Sequence, residues 1–183
     1  STSAVRSITG GHSLDISYND NEDAAQLRVN TSASDPDPYF SLDLSSANLT
    51  ADMYRYILMI YKTPSTNSAK AKNCEIFPCA GAVQGPTGGY SHIFALNTGS
   101  GYSQAVIELS SLSWWRGSIH SIRIDPFCSA SEGDTMYLDS VILCKSKDEA
   151  DNIAKERISV RSGTNPYIGS DYICTSYDVT KYT

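Results

Sequence analysis

Residues 14–19 read Leu-Asp-Ile-Ser-Tyr-Asn, and the alternation of Leu14, Ile16 and Tyr18 with Asp15, Ser17 and Asn19 decides the fold class. Successive side chains of an extended chain point to opposite faces, so this run is a strand with one buried face. The same period recurs outward along the chain. Leu27 and Val29 alternate with Gln26, Arg28 and Asn30, and Phe40, Leu42 and Leu44 alternate with Tyr39, Ser41 and Asp43. Residues 54–62 (YRYILMIYK) are apolar on both faces and read as a central strand. Further strands are expected at 75–79, 91–97, 104–109, 118–125 and 135–144.

Turn chemistry separates these runs: Thr9-Gly10-Gly11, Asp35-Pro36-Asp37-Pro38, Gly85-Pro86, Gly88-Gly89 and Glu132-Gly133-Asp134. Roughly nine or ten strands without interleaved helices describe an all-β chain, an antiparallel β-sandwich or jelly roll. One short C-terminal helix is expected. Ser146-Lys147-Asp148-Glu149 has the S-x-x-E form of a capping box, followed by Ala150, Ile153, Ala154 and Arg157 on one face. The expected organisation is a sandwich over 1–160, with 161–183 as a tail, a linker or an added edge strand.

Composition narrows the function. The chain has 183 residues, 40 % hydrophobic and 19 % charged, which suits one folded domain with a sizeable core. A net charge of −6 gains no counterion release from a phosphate backbone, so nucleic acid is not an expected partner. Lys70 and Lys72 form the only local basic cluster. No apolar run approaches the roughly 18 to 20 residues that span a bilayer, so no membrane insertion is expected. The chain starts at Ser1 rather than Met, which reads as a processed or excised form.

The five cysteines permit two readings. Cys74 and Cys79 are close in sequence, and Cys128 and Cys144 would face each other if their strands pair, leaving Cys174 over. Free thiols are the other reading. No CxxC or Cys/His zinc spacing occurs.

Five segments together resemble a known pattern: Asp37-Pro38-Tyr39-Phe40, residues 54–62, Trp115-Arg116-Gly117-Ser118-Ile119, Ile122-Arg123-Ile124-Asp125-Pro126, and residues 133–141 (GDTMYLDSV). They resemble carbohydrate-binding modules with a galactose-binding-like jelly-roll fold, attached to bacterial glycoside hydrolases and cell-surface proteins. The resemblance covers about residues 12 to 145 and describes mostly the scaffold. It implies a secreted or cell-surface location, covalent linkage to other domains, and a polysaccharide or glycan partner, plant cell-wall β-glycan favoured. It also implies a structural Ca²⁺ held by Asp139 with N-terminal partners such as Asp15 and Glu22, since calcium takes 6 to 8 oxygen ligands. The 74–79 strand, the 85–89 loop and the tail have no counterpart in that pattern.

Sugar rings carry C–H faces that stack on aromatic rings and hydroxyls that need planar polar partners, so exposed Trp or Tyr beside amides mark a site. Trp114 and Trp115 are neighbours that face opposite ways. Trp115 belongs to the scaffold motif and reads either as a core Trp or as a ligand contact, whereas Trp114 is the expected stacking platform. Tyr90 and His92 lie on the glycine-rich 85–92 loop, and Tyr102 with Gln104 on the next turn and strand. Arg123 and Asp125, two apart on one face, are expected to pair with each other or touch a neighbouring strand, a sugar contact being the other reading.

No catalysis is expected. The three histidines (His12, His92, His120) sit in no nucleophile motif, and no G-x-S-x-G or H-E-x-x-H occurs. Acidic residues are too many for a carboxylate pair to be dismissed by count, so a glycoside hydrolase is the lesser alternative. A protein-interaction sandwich of a cell-surface protein is the third reading.

Overall fold

The pleat sorts each alternating run, and two antiparallel sheets result, with their apolar sets facing one another. The computed structural model describes residues 9–163 and 177–178. The strands are β1 (Thr9–His12), β2 (Leu14–Asn19), β3 (Ala24–Val29), β4 (Tyr39–Asp43), β5 (Tyr56–Lys62), β6 (Asn73–Ala80), β7 (His92–Ala95), β8 (Ser103–Glu108), β9 (Ile119–Asp125), β10 (Thr135–Cys144) and β11 (Tyr177–Asp178). One sheet has five strands in the order β1-β4-β9-β6-β7. The other has six: β2-β3-β10-β5-β8, with β11 beside β10. The expected all-β sandwich is what the chain forms.

Phe40, Leu42, Ile76, Ile122 and Ile124 from one sheet meet Leu27, Ile57, Met59, Tyr61, Leu138 and Val141 from the other. Trp115 closes this core at 1 % exposure, its indole N–H donating to the Tyr54 carbonyl at 2.8 Å.

β5 is apolar on its second face as well, and that face needs a cover. The helix α1 (Lys147–Arg161) supplies it, burying Ala150, Ile153 and Ala154 against Leu58, Ile60 and Ile142. Ser146 caps α1 by accepting from the Glu149 amide at 3.1 Å, as the capping box requires.

Several details differ from the sequence reading. Thr9-Gly10-Gly11 is not a turn but the start of β1, paired with β4. The register of β10 against β5 slips between Leu138 and Ser140, so Asp139 is an extra, bulged residue that shares the outer face with Ser140. The boundary at 160 falls inside α1, whose last residue Arg161 is anchored to the sheet. Of the tail, residues 177 and 178 extend β10 as an edge strand.

The disulfide reading fails on geometry. Cys74 and Cys79, five apart on β6, face opposite sides of their sheet. Cys128 follows β9 of one sheet while Cys144 ends β10 of the other, so their strands never pair. All four are free thiols. Cys174 lies outside the described residues.

Trp115→Ala removes the largest fully buried side chain and leaves a cavity between the sheets. It should lower the unfolding free energy by roughly 3–5 kcal/mol, read from urea denaturation. A loss below about 1 kcal/mol would mean that the core does not hinge on this ring.

Candidate functional site

The α-helix packs on β5, β8 and β10, and among the described residues no α-helix packs on the other sheet. On the five-stranded sheet, alternation sends Tyr39 and Ser41 (β4), Ser121, Arg123 and Asp125 (β9), and Glu75 and Phe77 (β6) to the outer face. Register then aligns them. Arg123 faces Ser41 on one side and Phe77 on the other, His12 faces Tyr39, and Glu75 faces Asp125.

Arg123 is the centre of this face. Its guanidinium carbon lies 3.6 Å from the Tyr39 ring centroid and 5.0 Å from that of Phe77. Its Nε and Nη2 donate to the two Asp125 oxygens at 2.7 and 2.9 Å, and Asp37 lies 3.5 Å from Nη2. That side-on pairing leaves Nη1 without a partner among the described residues. Asp125 is only 5 % exposed, and burial raises its pKa despite Arg123. His12 stacks on Tyr39 at 4.6 Å, its Nδ1 bonding the Asp37 carbonyl at 2.7 Å. With Tyr39 held between His12 and Arg123, these groups form a stack across the strands. Farther along, Ser91 donates to Glu75 at 2.6 Å.

The aromatic faces come from the sheet's far edge. β7 pairs with β6 only over residues 73–76, so the β6 edge beyond is free for other partners. Trp114 takes that place, its indole N–H donating to the Pro78 carbonyl at 2.7 Å. Tyr90 meets it edge to face at 5.3 Å and is 41 % exposed. The segment that carries Trp114 is fixed from behind by Gly81. Its φ is +55°, and a Cβ there would stand 2.4 Å from the Arg116 carbonyl oxygen.

The six expected ligand residues do not form one site. Trp114 and Tyr90 come together, and His92 begins the adjacent strand β7. Trp115 is corrected to a core residue, because its ring has no exposed face. Tyr102 and Gln104 lie on the outer face of the opposite sheet, beside Lys62 and Ile60. The faces of Tyr102 are taken: Arg161 lies 4.0 Å and Lys62 5.6 Å from its centroid, and its hydroxyl donates to Glu22 at 3.0 Å. Burial first, and then Glu22, pushes that hydroxyl's pKa up.

The calcium residues do not fit a calcium site. Asp139 is bonded by Arg161 and lies 3.7 Å from Arg157, and Glu22 is paired with Lys62. Asp15 is at the other end of the same face, beside Arg28, roughly 13 Å along the strand direction from Asp139. Among the described residues no three His, Cys, Asp or Glu side chains converge as a metal set. Fixed cations stand where the expectation put Ca²⁺.

Sequence reasoning missed His12, Tyr39, Glu75 and Phe77. The available signal was Tyr39 at a polar position of an alternating strand. Which strands lie beside it was not readable.

No family model matches the chain, and no curated protein does. Solved structures with a similar fold include a low-affinity xylan-binding module from the gut symbiont Roseburia intestinalis. It is 14 % identical with a TM-score of 0.47, over 74 % of this chain and 86 % of that one. A family 11 carbohydrate-binding module from Clostridium thermocellum, in complex with a β-1,3-1,4-mixed-linked tetrasaccharide, is 13 % identical. Its TM-score is 0.43, over 76 % of this chain and 95 % of that one. An arabinose-bound α-L-arabinofuranosidase is 15 % identical with a TM-score of 0.47. It matches 75 % of this chain but only 22 % of its own length. At such identities and TM-scores the likeness carries no argument about ligand or activity, which rest on this chain's own residues.

Because fixed cations satisfy Asp139 and Glu22, the thermal midpoint should stay within about 1 °C between EDTA and millimolar Ca²⁺. A rise of several degrees with Ca²⁺, read by differential scanning calorimetry, would restore the metal site.

Proposed function

We propose that the chain is a non-catalytic carbohydrate-binding module whose ligand lies across the outer face of the five-stranded sheet. The observation that carries this reading is an outer sheet face on which no described α-helix packs. It joins a strip of hydrogen-bonding groups (His12, Tyr39, Arg123, Asp125, Glu75) to an aromatic pair (Trp114, Tyr90) at its edge. A glycan needs both: planar polar partners for hydroxyls, and ring faces for its C–H patches. Arg123 Nη1 and the Glu75 carboxylate serve the hydroxyls, and Trp114 stacks on a ring with Tyr90 bracing it. The strip crosses β1, β4, β9 and β6, about 14 Å at ordinary strand spacing, which suits an internal stretch of a β-glycan chain. In this reading the module is secreted or displayed at a cell surface. It holds an attached enzyme or surface protein near its polysaccharide by effective concentration.

Hydrolysis is disfavoured by the same geometry. Glu75 and Asp125 are cross-strand partners, as a carboxylate pair should be. Both Asp125 oxygens, however, are held by Arg123, and Glu75 accepts from Ser91. Asp125 is thus committed to Arg123 and does not serve as the second carboxylate of a catalytic pair. A protein-docking face is disfavoured by the scatter of exposed apolar side chains. Tyr18, Met53 and Ile93 lie on separate elements, and Ile93 lies on the open face as the cross-strand partner of Glu75.

Native gels with embedded β-glucan, xyloglucan, xylan, glucomannan or galactan test the reading. Retardation by one class is expected. Trp114→Ala and Arg123→Ala should each weaken binding roughly ten-fold or more, while Gln104→Ala, on the opposite sheet, should leave it within about two-fold. Unchanged mobility in every gel, or full binding by Trp114→Ala and Arg123→Ala, would overturn the assignment.

A further inference from the structure

One end of the open face runs into a cavity that the strip does not use. It has a volume of about 370 Å³ and is lined by Ala69, Lys70, Lys72, Asn73, Cys128 and Ser129. Asn73 begins β6 on the same face as Glu75 and Phe77, and Cys128 follows β9 three residues after Asp125. The Cys128 amide donates to the Asn73 carbonyl at 2.8 Å, closing the cavity floor. The volume is at the low end of small-molecule sites and suits a single sugar ring.

The lysine loop is built rather than loose. Asp134, 4 % exposed, accepts from the Ser68 amide at 2.7 Å and the Ser68 hydroxyl at 2.6 Å. Asn67 exchanges two bonds with the Thr135 backbone at 2.8 and 2.9 Å. Ala71 is buried between the two lysines, and the Lys72 carbonyl accepts from the Leu96 amide at 2.9 Å. Lys62, Arg123, Lys147, Arg157 and Arg161 pair with carboxylates, while Arg28, Arg55, Arg116, Lys145 and Lys155 make no ion pair among the described residues. Among the described residues Lys70 and Lys72 likewise have no carboxylate within ion-pair distance. Two exposed lysines on one short loop give this end of the face local positive charge in a chain of net charge −6.

The geometry points to this cavity as a subsite for an acidic sugar residue, whose anion is a ring carboxylate or a sulfate ester, carried by the glycan on the open face. The inference rests on the glycan-binding reading above. Lys70 and Lys72 take the anion, while Asn73 and Ser129 take hydroxyls. Cys128 adds no negative charge near neutral pH, because burial with Glu75 and Asp125 nearby pushes its thiol pKa up to about 11. Asp125 is offset by Arg123, so the opposing charges near the lysine loop are Glu75 and Asp134, the latter turned onto Ser68 and Ser131.

Titration calorimetry with matched oligosaccharides separates this inference from the reading beneath it. The probes are a uronic-acid-substituted oligosaccharide, the same compound after carboxyl reduction, and a sulfated form of the neutral compound. At low salt the better anionic form should bind roughly three- to ten-fold tighter than the neutral one. That advantage should vanish in Lys70→Gln/Lys72→Gln and shrink in 0.5 M NaCl, with neutral binding unchanged. A preference for the carboxylate or for the sulfate assigns the anion. Equal binding of anionic and neutral forms overturns the lysine subsite and leaves the glycan site standing. No binding of any form overturns both.

Discussion

Two stacked sheets bury one face each against one another, and what happens to their two outer faces decides where a ligand can go. In this chain the answer lies in β5. Ile57, Met59 and Tyr61 face the common core, and Leu58 and Ile60 point the other way. That second apolar row must be taken out of water, and α1 is the element that does it. With the helix committed to β5, β8 and β10, the outer face of the five-stranded sheet carries no comparable apolar row. Charged, hydroxyl-bearing and half-exposed aromatic side chains occupy it instead. The difference between the two outer faces thus follows from a packing demand on a single strand.

On that open face, Arg123 organises its surroundings. A guanidinium between two rings keeps its donors in the plane between them, so it can be partly covered and still bond sideways. Asp125 takes one side of the fork and fixes the orientation of the other. The arrangement carries a cost. Asp125 has its folded-state pKa raised, so its contribution to stability is fully present only below its unfolded pKa. That contribution is lost as the pH rises through the folded value. At neutral pH the ionised carboxylate therefore opposes folding, with Arg123 limiting the penalty. A sandwich could fold with apolar residues at both positions, so the pair is not demanded by the fold.

The sheets were legible because their signal is local. Period-2 alternation in residues 14–19, 26–30 and 39–44, and the doubly apolar 54–62 run, depend on no partner. The capping box at Ser146 and Glu149 is equally local. The glycine-rich start of β1 was lost because Gly10 and Gly11 carry no apolar face, and only pairing with β4 makes them strand. The site was half legible for the same reason. Trp114 and Tyr90 stood out by type and do come together. The contacts among Tyr39, Arg123 and Phe77 depend on β4, β9 and β6 being neighbours, which nothing within any one strand announces. Tyr102 and Gln104 illustrate the converse. They are near Tyr90 in sequence, yet β7 and β8 belong to different sheets.

The same dependence on partners explains the cations found where calcium was expected. Asp139 sits in a bulge that turns its carboxylate outward, beside the β2–β3 turn that carries Glu22. Two carboxylates brought together repel unless a positive charge is placed with them. A divalent ion is one solution, and a long cationic side chain from elsewhere is another. Arg161 reaches that spot because α1 runs on to its fifteenth residue, and its guanidinium bonds Asp139 and the carbonyls of Glu22 and Asp23. Lys62 supplies a second cation to Glu22 from β5. A guanidinium has five fixed donors, so it can bridge a bulge and a turn as a metal would, without drawing ligands from solution. The cross-link ties the helix that closes the packed side of the sandwich to its N-terminal hairpin.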